Sequence, residues 1–155
     1  CDDLSYYSVS ISKKLVQNII NGTLILSYIE LLKPLRSQHN GSSVNRARGW
    51  YFYLEKGSGR LDYVGVGGIV KGNLNQNNDL FHRITQHFGT STGATFYKNF
   101  NREKTEKLTR KKWVSTLNNN YELVVIYGEN DLLSRDELLV VESILVKLLK
   151  PKYNL

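Results

Sequence analysis

Glu142 has the most informative position of any charged residue in this 155-residue sequence. On a helix that turns by about 100° per residue, Glu142 falls close to Leu138 and Leu149 and therefore inside the apolar sector. An ionised carboxylate in such a place costs several kcal/mol unless a cation or strong donors compensate. The position predicts either a hard divalent cation such as Mg²⁺ or a structural ion pair with Arg83.

Arg83 and His87 stand four residues apart in a segment where apolar residues recur at helical spacing. Side chains at that separation project from the same side of a helix, so the two can contact one phosphate group. The alternative is a solvated helix edge, in which the arginine stem covers apolar surface. Both interpretations require a short helix at this point of the chain.

Two tyrosines, Tyr51 and Tyr63, lie on either side of a turn predicted at 56–59. On a strand Tyr51 and Tyr53 share one face, as do Tyr63 and Gly65 on the partner strand. The two phenols can then approach each other across a hairpin and flank one pocket. The alternative is that both are ordinary strand residues, since aromatic side chains favour β-structure.

Residues 97–113 are strongly basic and interleave cations with Tyr97, Phe100 and Trp113. The cations that we expect to contact a phosphate backbone are Lys98, Arg102, Lys107, Arg110, Lys111 and Lys112. A solvated basic surface is the alternative. In a chain of net positive charge, the segment favours nucleic-acid binding.

The elements that position these residues follow from hydrophobic periodicity. Alternating segments at 50–55 and 60–66 predict a hairpin, and 79–88 predicts a helix. A continuous apolar run at 123–127 predicts a buried third strand, and a capping-box pattern opens a helix over 134–150. The predicted fold is α/β (α+β), with a small, three-stranded, mainly antiparallel sheet flanked by helices.

The N-terminal third of the chain predicts a helical extension. Apolar spacing over 11–32 indicates two short helices, and the polar stretch 37–43 behaves as a linker. We therefore divide the chain into an extension with its linker at 1–48 and a module at 49–155 that contains a basic insertion at 89–120.

The composition favours a polyanionic partner. The chain has 21 Lys and Arg against 14 Asp and Glu, a formal charge of +7. Nucleic acid is the first candidate partner and a membrane surface the second. No run of about 18 apolar residues predicts a membrane span. The single cysteine excludes an intramolecular disulfide and a zinc site built from several thiolates, and it fits a cytoplasmic setting best.

The sequence resembles the GIY-YIG nuclease family in four motifs that occur in the family's order. Gly-Trp-Tyr at 49–51 and Tyr-Val-Gly at 63–65 are separated by eleven residues, a spacing usual in that family. The segment 80–87 resembles the family's helix with an arginine and a histidine four residues later. Glu142 and the Pro-Lys-Tyr-Asn sequence at 151–154 resemble its metal-binding glutamate and its closing Pro-x-Tyr-Asn.

The resemblance implies a catalytic site made of Tyr51, Tyr63, Arg83, His87, Glu142 and Asn154. Glu142 would bind one divalent ion per site, Mg²⁺ or Mn²⁺, and no small-molecule cofactor is implied. Tyr51 would help to activate the attacking water. Because a free phenol has a pKa of about 10, it needs a neighbour such as His87 to take its proton. Arg83 would stabilise the charge on the phosphate oxygens, and Tyr63 and Asn154 would orient the water and the site by hydrogen bonds.

The function that this resemblance favours is metal-dependent hydrolysis of DNA phosphodiester bonds. We expect a site-specific bacterial type II restriction endonuclease acting on double-stranded DNA, because the predicted additions to the module resemble the compact restriction enzymes of the family. A symmetric homodimer would suit palindromic DNA. One alternative is a delivered nuclease toxin domain acting on DNA or RNA, since the sequence begins at Cys1 and lacks methionine. Another is a non-catalytic DNA-binding module that kept the fold.

Overall fold

The computed structural model describes residues 5–21, 37–40, 47–69, 78–88, 95–102, 104–128 and 133–154. These parts of the chain contain five strands and five helices, which confirms the α+β class. The strands are β1 (Ser5–Ile11), β2 (Ser37–Asn40), β3 (Gly49–Glu55), β4 (Leu61–Gly67) and β5 (Tyr121–Gly128). The helices are α1 (Lys13–Ile20), α2 (Leu80–Gln86), α3 (Thr95–Phe100), α4 (Arg110–Asn120) and α5 (Arg135–Leu149).

The strands form one mixed sheet in the order β2-β1-β5-β3-β4. β1 pairs with β5 in parallel, whereas the β1–β2, β3–β4 and β3–β5 pairs are antiparallel. The three predicted strands, β3, β4 and β5, pair antiparallel as expected, but the prediction of a three-stranded sheet was wrong, because β1 and β2 extend it and the β1–β5 pair is parallel. The predicted buried strand is β5, which is paired along both edges. Its side chains are buried on both faces of the sheet, Val124 and Ile126 on one and Leu123 and Val125 on the other, which explains why its sequence is apolar without alternation.

The N-terminal third contributes to this sheet, so the prediction of a purely helical extension was wrong. Ile11, which we placed in the first helix, ends β1, and Ser12 caps α1 by accepting from the Leu15 backbone nitrogen at 3.3 Å. The residues 37–40, which were predicted as linker, form the edge strand β2. The second predicted helix falls within 22–36, outside the described residues.

Two hydrophobic clusters cover the two faces of the sheet. On one face α1 and α5 pack against the sheet; the buried residues include Val16, Ile19, Trp50, Phe52, Val64, Val124, Leu138, Val141 and Leu145. On the other face α2, α3 and α4 pack against an aromatic-rich surface; the buried residues include Tyr6, Tyr51, Tyr53, Tyr63, Leu80, Ile84, Phe96, Trp113 and Leu117. The two motif tyrosines therefore lie on the aromatic face.

α5 begins as the sequence predicts. Ser134 and Glu137 form a reciprocal capping box, with hydrogen bonds of 3.0 and 3.2 Å. The helix ends at Leu149, and Lys150 follows in a left-handed conformation with φ of 47°. Leu148, near the C-terminal end of the helix, is 56% exposed and lies outside the buried face. Among the described residues, no helix has the length and apolar character needed to cross a bilayer.

Candidate active site

The antiparallel hairpin of β3 and β4 brings the two motif tyrosines together. Tyr51 lies opposite Gly65, and Tyr53 lies opposite Tyr63. The ring centroids of Tyr51 and Tyr63 are 6.4 Å apart, and both rings are buried. This confirms the prediction that two phenols approach each other across the hairpin.

The glycines of the two motifs make room for close packing. A Cβ atom at Gly65 would overlap the end of the Tyr51 ring, including its hydroxyl oxygen. A Cβ atom at Gly49 would overlap the backbone of Ile126 on β5. Glycine is therefore required at both places by the close approach of neighbouring groups. The absence of a side chain at Gly65 lets the Tyr51 phenol lie against β4.

His87 lies at the centre of the tyrosine cluster. It caps the C-terminus of α2 and is fully buried. Its Nε2 is hydrogen-bonded to the Tyr51 hydroxyl, and its ring centroid is 5.1 Å from that of Tyr63. Trp113 of α4 holds its backbone by donating from Nε1 to the His87 carbonyl oxygen at 2.7 Å. His87 therefore connects both motif tyrosines to the helix of the basic insertion.

The protonation states of Tyr51 and His87 follow from their burial. Desolvation, together with the nearby Tyr63, raises the pKa of Tyr51 well above its ordinary value of 10.0. Desolvation also lowers the pKa of His87 from 6.5 to about 3, and the positive charge of Arg83 contributes to this decrease. Near neutral pH the phenol is therefore protonated and the imidazole neutral. Nε2 of His87 is the one hydrogen-bond partner of the Tyr51 hydroxyl among the described residues, so we assign the phenol as the donor and the imidazole hydrogen to Nδ1.

Arg83 supplies the positive charge of the cluster from one helical turn before His87. Desolvation raises the pKa values of Tyr51, Tyr63 and Glu142, and the Arg83 charge opposes the increase at each of them. The positive charge of Arg83 therefore acts on all three acidic groups. Arg83 is therefore positioned to balance negative charge that develops in the cluster.

A small cavity of about 150 Å³ opens beside Arg83, between the end of β4 and α2. Val66 and Ile69 form part of its apolar wall, whereas His82, Arg83 and Gln86 form part of its polar wall. Arg83 Nη1 donates to Gln86 Oε1 at 3.0 Å, and Gln86 Nε2 lies 3.2 Å from His82 Nε2. These bonds fix the guanidinium at the rim of a solvent-accessible opening.

Glu142 of α5 is coupled to this cluster electrostatically, because its negative charge adds to the effect of burial in raising the pKa values of Tyr51 and Tyr63. Its side chain is half-buried, and desolvation raises the pKa of its carboxyl group despite the opposing charge of Arg83. The described residues include no direct ion pair between Arg83 and Glu142, so the predicted structural pair is not formed. They also include no group of three or more His, Cys, Asp or Glu side chains arranged to hold a metal. Any metal bound here would have Glu142 as its carboxylate ligand.

Asn154 fastens the C-terminal tail to the edge of the sheet. Its Oδ1 accepts from the Val64 backbone nitrogen and its Nδ2 donates to the Val64 carbonyl oxygen, both at 2.7 Å. The backbone nitrogen of Tyr153 donates to the Asp62 carbonyl oxygen at 2.8 Å. Both polar atoms of the Asn154 side chain are hydrogen-bonded to the backbone of β4. Asn154 therefore helps to fix the strand position next to Tyr63. The structure does not bring the amide into the tyrosine cluster as the resemblance implied.

An ionic network that sequence analysis missed supports Tyr63 from the other side. The Asp62 carboxylate is completely buried and accepts from Arg60 Nε at 2.6 Å and from the Tyr121 hydroxyl at 2.6 Å. Arg60 also donates to Glu55 at 2.8 Å. Arg60 and Asp62 are separated by one residue in the sequence, which was the available signal. Tyr121 joins them only through the tertiary fold.

The cations of the basic insertion lie outside the site, whereas its aromatic residues pack into the tyrosine cluster; the Phe96 ring stacks on Tyr63 with a centroid distance of 5.0 Å. All six predicted phosphate-binding residues are exposed: Lys98, Arg102, Lys107, Arg110, Lys111 and Lys112. Within the described part of the chain, none of them forms an ion pair. The aromatic residues between them are largely buried, and Trp113 joins the aromatic cluster beneath His87. The insertion therefore has an exposed cationic surface and, beneath it, buried aromatic side chains that contact the candidate site.

Comparison with known proteins gives no relative. No family model, no curated protein and no solved structure matches the chain.

Proposed function

We propose that this chain is an endonuclease of the GIY-YIG type that hydrolyses DNA phosphodiester bonds with one divalent metal ion. The observation that carries the proposal is the assembly of five side chains from four separate elements. Tyr51, Tyr63, Arg83, His87 and Glu142 come from β3, β4, α2 with its cap, and α5, and they interact within one cluster. A set of acidic, basic and cationic groups with perturbed pKa values is typical of an active site.

The Glu142 carboxylate fits a hard divalent ion. Burial makes its ionised form costly, and a neighbouring cation would offset that cost. Magnesium is commonly held by one or two carboxylates, with substrate phosphate and water completing its coordination. When bound, such an ion polarises the phosphate and stabilises the leaving oxygen. Mn²⁺ has the same preference for oxygen ligands and is expected to substitute.

The remaining side chains have two roles, stabilisation of negative charge and transfer of a proton. Arg83 would contact the phosphate oxygens, where its fixed positive charge stabilises the additional negative charge of the transition state. Tyr51 would accept a proton from the attacking water as its own proton moves to His87 Nε2. Tyr63 would hydrogen-bond to the water or the phosphate from the opposite strand. Asn154 acts as a positioning residue, because its amide fixes β4.

The substrate that suits the cationic surface is a nucleic-acid backbone. The six exposed cations of the insertion lie on the same segment as buried aromatic side chains that contact the catalytic cluster. A nucleic-acid backbone bound in the site could therefore continue across these cations. We assign double-stranded DNA as the substrate and a site-specific, type II restriction activity as the biological role. Recognition of a palindromic sequence would require a symmetric dimer.

The experiment that tests this function is a cleavage panel with supercoiled plasmid, linear duplex DNA, single-stranded DNA and RNA. Wild-type protein should cut duplex DNA in Mg²⁺ or Mn²⁺ and lose all activity in excess chelator. Glu142→Gln should abolish cleavage yet retain DNA binding, because the phosphate contacts come from basic groups. Asp136→Asn on the same helix is the matched control, since the Asp136 side chain is 92% exposed.

Three results would contradict the assignment. Full activity of Glu142→Gln, or of wild type in chelator, would remove the metal from the mechanism. Cleavage of RNA with intact DNA would favour the nuclease toxin instead. Binding of DNA by wild type with no cleavage under any metal would favour the non-catalytic module.

A further inference from the structure

Two buried polar atoms beside the Tyr51–His87 pair have no hydrogen-bond partner within the described structure. They are the hydroxyl oxygen of Tyr53 and the Nδ1 of His87. Tyr53 is 1% exposed and His87 is 0% exposed, so bulk water does not solvate either atom. Buried groups of this kind are rare in folded proteins, and each one calls for a physical explanation.

The two atoms are complementary and lie in the same aromatic cluster. His87 accepts from Tyr51 at Nε2, so Nδ1 carries a hydrogen and is a donor. The Tyr53 hydroxyl can accept that hydrogen and donate its own. The ring centroids of Tyr53 and His87 are 6.4 Å apart with an interplanar angle of 62°. A hydrogen bond between the two atoms requires a rotation of one side chain or one bridging internal water.

The chemistry assigned to His87 creates a need for this contact. A proton that arrives at Nε2 makes an imidazolium, which burial and the charge of Arg83 both disfavour. The imidazole can remain neutral if Nδ1 releases its hydrogen as Nε2 gains one. An acceptor on the Nδ1 side is therefore required. Among the described residues, Tyr53 is the neighbouring side chain whose hydroxyl has no hydrogen-bond partner.

Tyr53 also borders a second cavity, which shares no lining residue with the cavity beside Arg83. Tyr53 lines this second cavity, of about 160 Å³ at the start of β1 and β5, together with Tyr6, Lys56, Phe88 and Glu122. Lys56 is an exposed residue whose Nζ donates to the Asn118 carbonyl oxygen at 3.2 Å. The cavity thus lies between Tyr53, whose hydroxyl is itself buried, and the exposed Lys56.

We propose that Tyr53 completes a buried proton relay that runs from Tyr51 through His87 to this cavity. In the relay the Tyr51 O–H bond breaks as the Nε2–H bond forms on His87. The Nδ1–H bond then breaks as its proton passes to the Tyr53 oxygen, and Tyr53 releases its original proton to water in the cavity. One proton moves from Tyr51 to solvent, and neither His87 nor Tyr53 retains a charge. The relay rests on the proposed nuclease function, which assigns Tyr51 the role of accepting a proton from water.

The relay predicts opposite effects on stability and on catalysis when the Tyr53 hydroxyl is removed. An unpartnered buried hydroxyl destabilises the folded state, so Tyr53→Phe should have a melting temperature equal to or above that of wild type. The same substitution should slow single-turnover cleavage about 10- to 100-fold, because the relay loses its last acceptor. A structural role for Tyr53 would instead lower stability and leave the rate unchanged in the folded fraction.

Tyr97→Phe is the matched control. The Tyr97 hydroxyl is also partly buried but donates to the Leu108 carbonyl oxygen at 2.7 Å, away from His87. This variant should lose stability and keep the wild-type cleavage rate at saturating protein. Equal cleavage rates for wild type and Tyr53→Phe would overturn the relay.

A second measurement is independent of cleavage. The ring nitrogens of His87 are observed by ¹⁵N NMR in wild type, Tyr53→Phe and Tyr97→Phe. We expect an unprotonated Nε2 and a protonated Nδ1 in wild type, with the Nδ1 resonance displaced in Tyr53→Phe and unmoved in Tyr97→Phe. An Nδ1 resonance identical in wild type and Tyr53→Phe would overturn the contact. If wild type cuts no nucleic acid, the proposed function fails, and this resonance alone decides whether Tyr53 accepts from His87.

Discussion

His87 makes the stability of this protein depend on pH in a direction that can be worked out. Its imidazole is 0% exposed, and burial lowers its pKa from 6.5 to about 3. The unfolded chain regains the ordinary pKa, so between these two values the unfolded state binds more protons than the folded state. The contribution of neutral His87 to the free energy of unfolding is therefore complete above pH 6.5, and it is lost as the pH falls toward about 3.

The magnitude follows from the displacement of the pKa. One pKa unit corresponds to about 1.4 kcal/mol, so the full displacement is worth at most about 5 kcal/mol. The free energy of unfolding should fall by about 2 kcal/mol at pH 5 and by about 3 kcal/mol at pH 4 through this group alone. Glu142 acts in the opposite direction. Burial raises its pKa above 4.5, so its contribution is present at low pH and is lost as the pH rises through the raised value.

The assay is urea unfolding of wild type and His87→Gln at several pH values between 4 and 7. Glutamine places a polar group near the position of Nε2 but does not titrate. Subtracting the two curves removes the contributions of Glu142 and of the other acidic groups. The stability advantage of wild type should shrink by about 2 kcal/mol between pH 7 and pH 5. Parallel curves for the two proteins would refute the buried, neutral state of His87.

The remaining predictions concern catalysis and binding. Tyr51→Phe should keep the fold and DNA affinity but lose about 10² to 10⁴ in single-turnover cleavage, whereas a near wild-type rate would make the phenol structural. Adding His87→Ala to Tyr51→Phe should cost little more, because the first change already removes the proton that His87 would take; additive losses would contradict this coupling. Replacing Lys107, Arg110 and Lys111 by glutamine should reduce the slope of log K against log[salt] by about 0.9 for each phosphate that is no longer neutralised. An unchanged slope would assign these cations to ordinary solvated surface.

The candidate site was predictable from the sequence because its signals are local. Tyr51 and Tyr63 lie in alternating strands around one turn, and the pairing of that hairpin is fixed by the strands it joins. Arg83 and His87 are four residues apart, so a single helix places them on one side. Glu142 stands out because a carboxylate inside an apolar helix face is costly. Each signal depends on a spacing of a few residues.

The sheet was less predictable because its central pairing is not local. β1 and β5 pair in parallel although most of the chain lies between them, and no turn pattern records such a pairing. The serine residues of β1 also reduce its apolar periodicity, since Ser8 occupies a buried position where an apolar residue would have marked the strand. The short edge strand β2 is polar throughout its sequence. Its composition was therefore that of a linker.

The residues that sequence analysis missed act through tertiary contacts. Trp113 was assigned to the aromatic background of a basic segment, yet its Nε1 holds the backbone of His87. Asp62 was given no role, but its carboxylate is buried and is satisfied by Arg60 and Tyr121. Tyr53 follows Tyr51 on the same face and differs from it in lacking a partner for its hydroxyl among the described residues. Satisfaction of a buried polar atom is a property of its three-dimensional surroundings, so no spacing rule predicts it.

The resting state of the cluster opposes the proton transfer that the proposed chemistry requires. Burial raises the pKa of Tyr51 and lowers that of His87, so moving a proton from one to the other would place two buried charges side by side. The positive charge of Arg83 makes a buried Tyr51 tyrosinate less unfavourable but makes a buried His87 imidazolium more unfavourable. The transfer therefore becomes favourable only if positive charge is added near Tyr51 and the proton leaves His87. A cation at Glu142 would meet the first condition, and a relay through Tyr53 would meet the second. The protein alone should therefore keep Tyr51 protonated, and catalysis should begin only when metal and substrate are both bound.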